Sequence, residues 1–150
     1  MSKLDSFHDI IDFAIQKEIE ANQFYKDLAK QMKNPDMREV FEGFAEEELE
    51  HKAKLEGIKQ SKTIQPAKNV VDLQIANYVV EVEPGPDMDY QDALVLAMKN
   101  EKTAFRLYLD LANKVSNEEQ KSLFLSLANE EAKHKLRFEI EYDEIVLKEN

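Results

Sequence analysis

Two separated stretches of this chain repeat each other at one fixed distance, which narrows the fold more than any other feature. Residues 14–29 read AIQKEIEANQFYKDLA, and residues 97–112 read AMKNEKTAFRLYLDLA. Ala14, Glu18, Ala21, Tyr25, Asp27, Leu28 and Ala29 recur as Ala97, Glu101, Ala104, Tyr108, Asp110, Leu111 and Ala112. Residues 41–52, FEGFAEEELEHK, recur in residues 124–135, FLSLANEEAKHK, through Phe41/Phe124, Ala45/Ala128, Glu47/Glu130, Glu48/Glu131, His51/His134 and Lys52/Lys135. Every matched pair is 83 positions apart, as Glu18 is from Glu101 and His51 from His134. Two segments sharing one offset point to a duplicated helix pair. The period is too long for a solenoid unit, and two helical hairpins packed as a four-helix bundle fit it.

Composition agrees with long helices. Only three glycines and four prolines occur in 150 residues, the length of one domain, and sheet proteins need more turn residues than that. Residues at alternating spacings of three and four trace four seams. The first runs Phe7, Ile11, Ala14, Glu18, Ala21, Tyr25, Leu28 and Met32, and the second Met37, Phe41, Phe44, Glu48, His51, Leu55 and Ile58. The third runs Leu94, Ala97, Glu101, Ala104, Tyr108, Leu111 and Val115, and the fourth Phe124, Leu127, Glu131, His134 and Phe138. These predict helices over about 3–33, 35–58, 88–115 and 117–148. Pro35 suits a first helical position. Asp87 or Asp89 suits the N-cap of the third helix, and Ser116 with Glu119 reads as a capping box for the fourth. Short links make each pair an antiparallel hairpin. The connection over about 59–87 is long and carries Val70, Val71, Leu73, Ile75, Val79, Val80 and Val82, so it is expected to cross along the bundle, with room for a short helix. An all-α four-helix bundle with one long crossover between its second and third helices has ferritin-like topology. A crossover of that length could also reach a second copy and swap hairpins.

Charge and cysteine content remove several functions. The formal charge is −11, which repels nucleic-acid phosphates and anionic membrane surfaces. The chain has no cysteine, so disulfides, iron–sulfur clusters, Cys-ligated metal and a thiol nucleophile are excluded. The start, MSKLDSFHD, is broken by acidic residues before an apolar run develops, unlike a signal peptide. No stretch reaches the ~18–20 apolar residues of a spanning helix. The expected compartment is the cytoplasm.

Six ionisable side chains sit on the apolar seams: Glu18, Glu48, His51, Glu101, Glu131 and His134. Buried carboxylates are costly, and four together repel one another. No lysine or arginine occupies the seams, and two divalent cations would neutralise four carboxylates. Glu48 and His51 are three residues apart and share a helix face, as do Glu131 and His134. One glutamate from each of two helices plus Glu-x-x-His from each of the other two is the ligand pattern of di-iron carboxylate bundles. Carboxylate and imidazole donors suit iron or manganese, and zinc fits the same set. His8 has no such motif and reads as a surface residue. The run Glu46-Glu47-Glu48 and the residues Glu139, Glu141, Asp143 and Glu144 read mostly as solvated helix faces.

The motifs Glu18-x-x-Ala21-x-x-Phe24-Tyr25, Glu48-x-x-His51, Glu101-x-x-Ala104-x-x-x-Tyr108 and Glu131-x-x-His134 together resemble the rubrerythrin branch of the ferritin-like superfamily. The resemblance implies two iron ions bridged by Glu48 and Glu131. Glu18 and Glu101 would be terminal ligands, and His51 and His134 the nitrogen ligands. Tyr25 and Tyr108 would be hydrogen-bond partners of those ligands or radical-quenching groups. The activity implied is that of a non-haem di-iron oxidoreductase reducing hydrogen peroxide or dioxygen. A ferroxidase for iron storage or delivery, and a non-catalytic metal-binding or structural bundle, are the alternatives. A homodimer, with or without swapped helices, is the expected assembly. Two departures stand out. Full-length rubrerythrins carry a Cys-ligated rubredoxin iron, so electrons would here come from an external electron-transfer protein. Rubrerythrins also tend to carry an extra glutamate, which exchanges with a histidine as the irons change redox state, where this chain has Ala104, and this makes the site more symmetric.

Overall fold

A computed structural model describes residues 3–60, 66–72 and 88–147. The elements run β1 (Lys3–Ser6), α1 (Phe7–Gln31), α2 (Pro35–Gln60), β2 (Pro66–Asp72), α3 (Tyr90–Lys114) and α4 (Glu118–Tyr142), with a π-helical turn over Asp143–Leu147. The four long helices form the bundle that their seams predict. α1 packs on α2 and α3 on α4 as the two main helix pairs, and α1 also meets α3.

Local chemistry explains the helix starts. α2 begins at Pro35, whose missing N–H costs nothing in a first turn. Asn34 Oδ1 accepts from the backbone N–H of Asp36 at 2.8 Å and of Met37 at 3.4 Å. Asp89 caps α3 by accepting from Asp92 N. The cap of α4 is Asn117, which accepts from Gln120 N. The Ser116/Glu119 box is therefore displaced by one residue, because Asn is at least as good an N-cap as Ser and stands one position nearer the helix.

Two parts differ from the sequence expectation. Residues 3–6 are extended rather than the first turn of α1. Within the crossover, residues 66–72 form a strand, where the sequence left room for a short helix. That strand pairs antiparallel with β1, Lys3 opposite Asp72 and Leu4 opposite Val71, and its β-branched Val70 and Val71 suit a pleated surface. Residues 59 and 60 extend α2. The remainder of the expected crossover, 61–65 and 73–87, lies outside the described residues.

The buried side chains form two cores rather than one. Phe7, Ile10, Ile11, Leu55, Leu107, Leu111, Phe124 and Leu127 belong to the first. Tyr25, Leu28, Phe41, Phe44, Tyr90, Leu94 and Phe138 belong to the second. Each helix contributes to both, and on each helix the ionisable seam residues fall between the two contributions. Glu18 separates Ala14 from Tyr25, and Glu48 with His51 separates Phe44 from Leu55. A polar layer thus crosses the bundle between two apolar plugs.

The second plug is aromatic. Phe138 lies 4.1 Å from Phe44, 5.9 Å from Tyr25 and 6.0 Å from Phe41, measured between ring centroids. Removing its ring leaves a cavity beside the polar layer. Phe138→Ala is expected to destabilise the fold by about 3–5 kcal/mol, and Asn117→Ala by about 1 kcal/mol. Denaturant unfolding followed by circular dichroism reads both.

Candidate metal centre

All six seam residues converge in the polar layer. Glu18, Glu48, His51, Glu101, Glu131 and His134 are each buried, at most 3% exposed. His51 Nδ1 lies 3.0 Å from Glu131 Oε1, 3.5 Å from Glu18 Oε2 and 3.9 Å from Glu48 Oε2. His134 Nδ1 lies 3.3 Å from Glu48 Oε1, 3.5 Å from Glu101 Oε1 and 3.9 Å from Glu131 Oε1. Each histidine thus turns Nδ1 inward. The closest carboxylate to each imidazole comes from the opposite helix of the α2/α4 pair.

The oxygens divide by role. Tyr25 on α1 donates its hydroxyl hydrogen bond to Glu101 Oε1 on α3, and Tyr108 on α3 donates to Glu18 Oε1 on α1. One oxygen of each of these glutamates is thereby held, and the other, Oε2, has no hydrogen-bond partner. Glu48 and Glu131 differ: both oxygens of each lack a hydrogen-bond partner, as do both histidine Nδ1 atoms. Among the described residues, Asn100 Nδ2 is the one other buried side-chain atom left this way. Buried polar atoms are nearly always satisfied, so such a concentration points to a missing cationic partner.

The donor atoms form three groups: His51, Glu130 and His134, with Glu130 only half-buried, and two fully buried groups of three glutamates and one histidine each. Glu18, Glu48, His51 and Glu131 can each offer one atom so that all lie within 4.8 Å of one another, and so can Glu48, Glu101, Glu131 and His134. Glu48 and Glu131 appear in both. Two cations side by side would share those two carboxylates and take one terminal glutamate and one imidazole each. The orphaned atoms fit that demand: two free oxygens on each shared glutamate and one on each terminal glutamate.

Electrostatics agree. Burial, reinforced by the charges of Glu18 and Glu101, raises the Glu48 pKa well above the ordinary carboxylate value. Burial, with Glu101, Glu48 and Glu18 close by, does the same to Glu131. Burial and the neighbouring carboxylates also push Tyr25 and Tyr108 well above the ordinary phenol value, so both keep their protons and act as donors. Burial pulls His134 down, but the carboxylates of Glu101 and Glu47 outweigh it and its pKa is raised.

One residue of the site lies off the seam. Glu47 Oε2 sits 3.4 Å from His134 Nε2, on the side of the ring away from the centre. Arg137 Nη1 holds both Glu47 oxygens, at 3.1 and 3.3 Å. Read as part of a solvated run, Glu47 gave no sign of this from its own helix face. The available signal was its match to Glu130 in the repeat. His8 pairs with Asp12 at 3.3 Å and is partly exposed.

Long helices paired into hairpins around four buried glutamates and two histidines define a ferritin-like carboxylate bundle. The rubrerythrin family model matches residues 9–142, and the chain belongs to the rubrerythrin family. A hypothetical protein from Pyrococcus furiosus is 31% identical and aligns over 91% of this chain and 87% of its own, with a TM-score of 0.66. A Thermotoga maritima protein assigned as ferritin-like and diiron-carboxylate shares 19% identity over 96% of this chain and 99% of its own, with a TM-score of 0.72. No curated protein matches the chain. Among the described residues, no helix is long and apolar enough to cross a membrane.

The raised pKa values of Glu48 and Glu131 set a pH dependence. A carboxyl that is harder to ionise folded than unfolded contributes stability that is full below its unfolded pKa and is lost as pH rises through the folded value. The metal-free protein is therefore expected to melt at lower temperature as pH rises from about 5 to about 8. Divalent metal competes with those protons, so the gain in melting temperature on adding Mn(II) is expected to grow over the same interval. Differential scanning calorimetry with and without metal checks both slopes.

Proposed function

We propose that this protein is a non-haem di-iron oxidoreductase that reduces hydrogen peroxide or dioxygen, using electrons from an external carrier. The observation that carries the reading is the pairing of two fully orphaned glutamates, Glu48 and Glu131, common to the two fully buried donor groups. Bound there, two iron ions would supply two electrons together to one O–O bond.

The chain's own residues supply the rest. Glu48 and Glu131 are the bridging carboxylates of this reading, Glu18 and Glu101 the terminal ones, and His51 and His134 the nitrogen donors. Tyr25 and Tyr108 hold Glu101 and Glu18 by one oxygen each, leaving the second oxygen free and orienting it. Such outer partners typically change metal affinity or activity by about 10–100-fold. Because each tyrosine reaches across to the other hairpin, it also ties α1 to α3 at the level of the site. The Phe44 and Phe138 rings close one side of the layer, and Leu55 and Leu127 the other. These plugs keep bulk water away from the carboxylates, which strengthens their hold on cations. With Ala104 where an extra glutamate is common, the donor sets stay balanced, and the reading needs no ligand exchange. The chain has no cysteine to hold a rubredoxin-type iron, and in this reading the electrons come from an external carrier.

Loaded anaerobically with Fe(II), the wild-type protein is expected to consume hydrogen peroxide. A Glu48→Ala/Glu131→Ala double variant is expected to fall to the rate of free Fe(II). Stopped-flow loss of peroxide, with iron counted per chain, is the check, and equal rates for the two proteins would exclude the activity. Tyr25→Phe with Tyr108→Phe is expected to keep both metals while lowering the rate by about 10–100-fold.

A further inference from the structure

The six seam residues are matched pairwise at the 83-residue offset, but of the groups behind the two histidines only Glu47 and Glu130 are. His134 turns Nδ1 to the centre and Nε2 toward Glu47 Oε2, 3.4 Å away. Arg137 grips Glu47 through Nη1 and lays its guanidinium over the Phe44 ring, with Cζ 4.4 Å from the centroid. Phe44 in turn meets His134 edge-on, at 5.0 Å and 83°. His134, Glu47, Arg137 and Phe44 therefore form a closed box on the α2/α4 seam.

The corresponding positions around His51 do not build such a box. Leu127 stands where the other half has Phe44, and Lys54 where it has Arg137. Glu130 matches Glu47 in sequence, yet it pairs with Lys133 at 3.8 Å. Its carboxylate comes within 4.8 Å of a ring nitrogen of His51 and one of His134 without reaching ion-pair distance to either. Arg137 reaches both Glu47 oxygens through Nη1 while its guanidinium lies over the Phe44 ring, a stacked arrangement that a lysine does not reproduce.

We propose that Glu47, clamped by Arg137, is a positioning residue for His134 that makes two otherwise matched metal positions unequal. The position formed by Glu48, Glu101, Glu131 and His134 fills first, and the one formed by Glu18, Glu48, His51 and Glu131 fills second. The cause is elementary. With Nδ1 as the donor, the proton resides on Nε2. A fixed carboxylate facing that proton locks the tautomer and ring angle and makes Nδ1 a stronger donor. Exposed Lys54 and the less closely placed Glu130 give His51 weaker support of this kind. The inference rests on the two-metal reading above.

Calorimetric titration of metal-free protein with Co(II) alone tests it. The wild type is expected to bind two ions in two steps separated by about 10–100-fold in affinity. Glu47→Gln, which keeps the shape and removes the charge, is expected to weaken the tighter step by about that factor and merge the two. Glu47→Asp is expected to recover part of the separation, and Glu130→Gln to leave the tighter step in place. Should Glu47→Gln fail to fold without metal, Arg137→Ala carries the same test, with the same step weakened. Two ions bound in one step by the wild type would overturn the inference and leave the two-metal reading standing. Fewer than two ions per chain would overturn that reading itself. Equal effects of Glu47→Gln and Glu130→Gln would also overturn the assignment of unequal support.

Discussion

Four carboxylates held together in a layer sealed by apolar side chains are the constraint on which this bundle depends. Glu18, Glu48, Glu101 and Glu131 are at most 2% exposed, and moving even one ionised carboxylate out of water costs several kcal/mol. Within the bundle, the neutralising groups at hand are two histidines and two tyrosine hydroxyls. The tyrosines satisfy one oxygen on Glu18 and one on Glu101, and the histidines face the remaining oxygens without completing hydrogen bonds. The fold is therefore left with either bound protons or bound cations in this layer. Raised pKa values at Glu48 and Glu131 describe the first state. The two overlapping donor groups of three glutamates and one histidine describe the second.

The same layer organises the packing. The apolar plugs on either side are made by the same four helices, so the site cannot loosen without disturbing both cores. Reciprocal Tyr–Glu bonds cross between the hairpins, where α1 and α3 otherwise touch little. Stability and function thus meet in the same few residues: a substitution at Tyr25 or Tyr108 removes a hairpin tie and a carboxylate anchor together. The aromatic plug of Phe41, Phe44 and Phe138 sits against the His134 half. The opposite plug combines aliphatic residues with Phe7 and Phe124. An otherwise matched set of carboxylate and imidazole side chains therefore faces two different surroundings.

Much of this was legible in the sequence for a physical reason. A helix seam repeats every three or four residues, so Glu18, Glu48, His51, Glu101, Glu131 and His134 declare themselves as polar breaks in apolar stripes. Pro35 and Asp89 mark helix starts by chemistry that acts within one turn. What depends on contacts between elements was less legible. The spacing of Tyr25 from Glu18 places both on one helix face but does not reveal that the hydroxyl reaches Glu101 on another hairpin. Glu47 is one position off its seam and gains meaning only from Arg137 and His134 on α4. The pairing of residues 3–6 with 66–72 joins segments far apart in the chain, and neither carries a strong local signal. The cap of α4 moved by one residue because Ser116 and Asn117 are both good caps and local sequence ranks them poorly.

The most direct test of the central claim is where cations go. A crystal of the protein grown with Mn(II) and measured by anomalous scattering would locate each ion independently of any activity. Two peaks are expected in every chain, one among Glu18, Glu48, His51 and Glu131 and one among Glu48, Glu101, Glu131 and His134, with Glu48 and Glu131 contacting both. A polar layer without anomalous peaks, its carboxylates bonded to one another or to water, would contradict the account.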